Sequence, residues 1–200
     1  MNINLPKGFI CSRASGLMYA LPREQQLPLI QALVFAQVRA DQQHARSPSR
    51  PWAHFQESAL QSLEWATQRQ SFLDKPGNAD EPVDAIALLS AFAKQRLPAQ
   101  QALVAGRLFE KVARLPGLPA VLTAKPAGTF SLVVASSTRQ ASVMTLACPA
   151  GESGSPPALQ LSFSEYRIAA QFWQWNDQLH TSVGDYVNRH LKDLSDALTA

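Results

Sequence analysis

Apolar residues recur every three or four positions through the first 117 residues, and soon afterwards the pattern switches to alternation. In "LPLIQALVFAQVRADQQH", Leu27, Ile30, Val34 and Val38 form one helical stripe. Pro28 fits such a helix only in its first turn. "SPSRP", residues 47–51, is a loop that brings Pro51 to the start of a second helix. There Trp52, Phe55, Ala59, Leu63 and Ala66 repeat at helical spacing. "DKPGNADEP", residues 74–82, gathers turn formers and acids and separates elements. "VDAIALLSAFAKQ" is apolar on most sides and predicts a buried helix. The next helix carries Val104, Leu108, Val112 and Leu115 on one stripe and is stopped by Pro116, Gly117 and Pro119.

From about residue 120 the chain favours Val, Thr, Ser and Phe. Phe130, Leu132 and Val134 recur at alternate positions, as do Val143, Thr145 and Ala147, and the polar "SSTRQ" between the runs predicts a hairpin tip. "CPAGESGSPP" is a loop, and "ALQLSF" alternates again through Leu159, Leu161 and Phe163. Three strands joined this way form an antiparallel meander. The last segment, "SVGDYVNRHLKDLSDALTA", puts Val183, Val187, His190, Leu191, Leu194 and Leu198 on one helical side. Helices, then strands, then a helix define an α+β fold: a helical, bundle-like N-terminal half, a small antiparallel meander and a C-terminal helix. The expected organisation is one domain over residues 1–200, with a sub-boundary near 117–120.

Residues 164–179, "SEYRIAAQFWQWNDQL", contain two of the four tryptophans. As one strand from residue 158, this region changes phase twice: Leu159, Leu161 and Phe163 are odd, Tyr166, Ile168 and Phe172 even, Trp173 and Trp175 odd. As a helix beginning near Ser164, it places Ile168, Phe172, Trp175 and Leu179 on one stripe, and Ser162 with Glu165 has the form of a capping box. The expectation is strand to about residue 163 and helix beyond. On a strand, Trp173 and Trp175 point the same way and could form an aromatic shelf; on a helix they diverge by about 200°. Core packing is the first reading of the pair. Tyr166, Trp173 and Trp175 are also the binding candidates.

Composition narrows the function classes. Charged residues are only 16% of the chain, against about 25% in ordinary soluble domains. High Ala and Gln with low charge fits a high-GC bacterial composition, and also a surface partly covered by a partner. The net charge is +3. Residues 1–117 hold 13 Lys/Arg against 9 Asp/Glu, and residues 118–200 hold 5 against 6, with no run of like charges. Duplex binding needs several cations on one face. Arg107, Lys111 and Arg114 alone have such spacing, and a solvated helix face explains them, so nucleic acid is not an expected partner. Two distant cysteines, Cys11 and Cys148, form neither a disulfide framework nor a zinc site. The N-terminal residues lack the profile of a signal peptide, so a cytoplasmic protein is expected, exported if at all by a signal-peptide-independent route.

Catalytic chemistry has little to build on. "GESGS" misses the G-x-S-x-G spacing, because Gly154 directly follows Ser153. Cys148 or Ser153 with His180 or His190 would be the parts of a nucleophile–base enzyme, a hydrolase or transferase. Cys148, however, has the profile of a core thiol at a strand end, and His190 that of a histidine on an apolar helix stripe. No histidine pair has helical zinc spacing, and no glycine-rich phosphate loop occurs; neither metal nor cofactor is expected. The preferred expectation is a non-enzymatic interaction or assembly module. Its exposed sheet edge or aromatic face would bind a protein partner, a second copy or a membrane surface, as in effector- or toxin-like proteins.

Overall fold

The computed structural model describes residues 8–11, 14–18, 21, 23–75, 85–113, 128–148, 159–174, 177–178 and 180–184. The fold is α+β. Its centre is the predicted meander: β4 (Gly128–Ser137), β5 (Gln140–Cys148) and β6 (Leu159–Ile168), all antiparallel. The hairpin turns at Thr138 and Arg139, inside the predicted tip. The sheet is larger than three strands. β3 (Trp65–Lys75) joins β6 antiparallel, while β1 (Gly8–Cys11) and β2 (Ala14–Met18) form a pair whose second strand runs parallel to β4. Among the described residues the order is β1-β2-β4-β5-β6-β3, with β1 and β3 at the edges.

Helices cover both faces. Register and alternation put Val133, Ala135, Ala141, Val143, Tyr166 and Ile168 on one face. There they share a core with Leu29, Leu33, Leu60 and Leu63, from α1 (Arg23–Arg46), α2 (Trp52–Gln61) and the turn after it. Each fully buried side chain of this size contributes about 1.5–3 kcal/mol. The opposite face carries Leu132, Val134, Met144, Leu146, Leu161 and Phe163, all buried. On that side lie α3 (Ala85–Arg96) and α4 (Ala99–Ala113), with the Phe92 ring edge-on to Phe163 at 6.4 Å.

Two-sided burial explains the main departures from the sequence reading. β6 continues to Ile168, and a short 3-10 turn, Ala170–Gln174, replaces the helix expected from Ser164. The apparent phase change between Phe163 and Tyr166 is no bulge in β6: Phe163 is buried on one face and Tyr166 on the other. α2 ends at Gln61, so Ala66 lies in a strand instead of on the helical stripe. The stop is local: Leu63 and Glu64 donate to the carbonyls of Leu60 and Gln61, and Glu64 takes φ 65, left-handed backbone that no helix continues. α1 begins at Arg23, leaving Pro28 inside the helix beyond the first turn. β1 and β2 escape a pattern search because they have four and five residues, with Gly16 interrupting β2. Of the helix expected over residues 182–200, residues 182–184 are helical and Val183 is buried; Val187, His190, Leu191, Leu194 and Leu198 lie outside the described residues.

Candidate functional site

The aromatic residues at the end of β6 and in the turn after it converge on the core under α1. Trp65, Tyr166 and Phe172 are buried, and Trp65 meets both rings edge-on at 5.8 and 5.7 Å. Trp173 packs edge-on against Phe172 at 4.9 Å, and its Nε1 donates to the Thr138 carbonyl at 3.1 Å. That bond pins the 3-10 turn to the β4–β5 hairpin. Burial pushes the Tyr166 phenol well above its ordinary value, the Glu57 charge adds to this, and a hydrogen bond with Ser164 opposes it. Tyr166 therefore stays neutral and serves as core. Trp175 lies outside the described residues.

A second cluster is polar. Gln56 of α2 reaches the sheet, where Thr145 Oγ1 and Ser131 Oγ approach its Oε1 at 3.1 and 3.3 Å, and the two hydroxyls are 3.0 Å apart. All three residues are buried, and the Gln56 Nε2 amide has no partner among the described residues. An amide beside two hydroxyls supplies no base to activate either one, so the cluster locates α2 on the sheet and does not make a nucleophile.

Among the other sequence candidates, those described fall on different elements. Cys148 ends β5 opposite Gly128. His180 sits beside α1, where Gln31 Nε2 donates to its Nδ1 at 3.2 Å. Ser153, His190 and Arg114 lie outside the described residues. Arg107 is exposed on α4, and Lys111 follows one turn later in the same helix. Among the described residues no three His, Cys, Asp or Glu side chains gather as metal ligands, and no helix is long and apolar enough to cross a membrane.

The feature that the sequence reading missed is β3. It spans 11 residues at the end of the strand order, and from Gln68 to Leu73 only Ser71 is even half-buried. Phe72 is 64% exposed and Leu73 42% exposed. With Leu103 on α4 they are the exposed large apolar residues among those described. Glu57 of α2 holds the strand from one side: its carboxylate accepts from Thr67 Oγ1 and Gln70 Nε2, each at 2.8 Å, and from Gln61 Nε2 at 3.4 Å. One signal was available in the sequence. The α2 stripe runs out after Ala66, because its continuation would need Arg69 or Gln70 in the core. No protein family, curated protein or solved structure matches this chain.

Proposed function

We propose that the protein is an interaction module that takes up an extended protein segment, from a partner or a second copy, by strand addition at β3. The observation carrying this reading is the position of Phe72 and Leu73: adjacent apolar residues, on opposite faces of a long strand that ends the sheet. An edge strand offers a row of backbone donors and acceptors, and a long edge that exposes apolar side chains is a template for pairing with another chain. In strand addition the backbone bonds supply affinity, and alternate side chains supply selectivity. Here Phe72 would serve the face shared with α2, and Leu73 the face shared with α3 and α4.

Affinity capture on the immobilised protein, with sedimentation velocity of the free protein over a concentration series, tests the reading. A lysine on an edge strand opposes pairing. Complexes formed by the parent, with itself or with another chain, are expected to be lost in Leu73→Lys while its thermal midpoint is retained. Equal complex formation by Leu73→Lys would remove β3 as the site.

A further inference from the structure

The registers of β3 and Glu57 explain each other. Thr67 stands opposite Tyr166, and Arg69 opposite Glu165, the next residue of β6. Gln68 is therefore an extra residue, a bulge in β3. In a regular strand, residues three apart point to opposite faces. The bulge cancels that alternation and brings Thr67 and Gln70 to the same face, where both donate to the Glu57 carboxylate. Beyond the bulge, burial gives little reason to keep the register, since Arg69, Gln70, Phe72 and Leu73 are all exposed. Absorbing Gln68 into regular alternation would shift residues 69–75 by one, setting Ser71 opposite Ser162 and Phe72 opposite Leu161. Phe72 and Leu73 would then exchange faces, and Gln70 would turn away from Glu57.

We propose that Glu57 is a clasp that selects between two registers of the edge strand and so sets which face of the sheet displays Phe72. Arg69 directly opposite Glu165 favours the same register as a cross-strand charge pair. The device stands whether or not a partner binds the edge. If one does, the clasp determines the surface it meets.

Paired cysteines read the register in the full chain with Cys11→Ser and Cys148→Ser. Directly opposite positions lie within disulfide reach, whereas residues on opposite faces do not. In the observed register, Phe72→Cys with Ser162→Cys cross-links, and Ser71→Cys with Ser162→Cys does not. Glu57→Ala should raise the Ser71–Ser162 cross-link by about tenfold, the weight of one charge-assisted hydrogen bond. Deleting Gln68 removes the bulge while leaving the observed pairing regular, so Glu57→Ala in that background should cross-link only at 72 and 162. An unchanged Phe72–Ser162 cross-link in Glu57→Ala, with no Ser71–Ser162 product, would overturn the proposal. Should Glu57→Ala alone fail to fold, recovery by the Gln68 deletion supports the clasp, and failure to recover overturns it.

Discussion

β5 and β3 belong to one sheet but are held in place by different physics. β5 lies at the centre, and Ala141, Val143, Met144, Thr145 and Leu146 are buried in succession, serving both faces. A one-residue slip there would exchange two sets of core contacts, so burial alone specifies its register. β3 buries Trp65 at its start, but from Gln68 to Leu73 every residue except the half-buried Ser71 is exposed, and the Glu57 carboxylate grips one of its faces. The centre is determined by volume and the edge by a few polar atoms. Strand addition at β3, as proposed, would use an edge held in that way.

The sharpest break of this contrast is a paired truncation. Phe163→Ala should cost about 3–5 kcal/mol, as a large core ring removed, whereas Phe72→Ala should stay within about 0.5 kcal/mol. Urea denaturation reads both, and equal costs would contradict the distinction between centre and edge. Gln56→Leu comes next. It strips the shared acceptor from Ser131 and Thr145 and should cost about 1–3 kcal/mol, most of it recovered when Ser131→Ala and Thr145→Val are added.

Tyr166 gives a pH signature. Its folded-state pKa is raised above the ordinary 10.0, so its contribution is fully present below pH 10.0 and is lost as pH rises toward the folded value. Above pH 10 the parent should lose up to about 1.4 kcal/mol per pH unit more than Tyr166→Phe, measured by urea midpoints in alkaline buffers. The smallest expected effect is favourable. Glu64→Gly relieves a left-handed backbone at the turn into β3 and should raise stability by about 0.5–1 kcal/mol, seen as a higher thermal midpoint.

The same contrast explains which parts were legible in the sequence. The helices α3 and α4 and the meander are written in long apolar periodicities, and the α+β class followed from their order. The end of β6 was misread because Leu161 and Phe163 serve one core and Tyr166 and Ile168 another, which looks like a broken strand when only one buried face is assumed. Pro28 set α1 too late because a proline inside a helix is held by the tertiary burial of Leu29 to Val34, which local preference does not register. The candidate site was hidden more deeply. β3 is mostly polar, begins where a helical stripe was assumed to continue, and gains its register from a glutamate in a different element. Trp173 drew attention by its rarity, but its indole is committed to Phe172 and the Thr138 carbonyl. Phe72 and Leu73, two apolar letters in a polar run, gave no periodic signal.

Amide hydrogen exchange across residues 65–75, in dilute protein and again in complex with a captured chain or at high concentration, is the most direct measurement of an open edge. In the dilute protein exchange should alternate along β3: amides directed at β6 exchange slowly, and those directed outward exchange fast. On binding, the outward set becomes protected and β5 hardly changes. Uniform protection of all β3 amides in dilute, monomeric protein would mean that the edge is already covered and is not a site for strand addition.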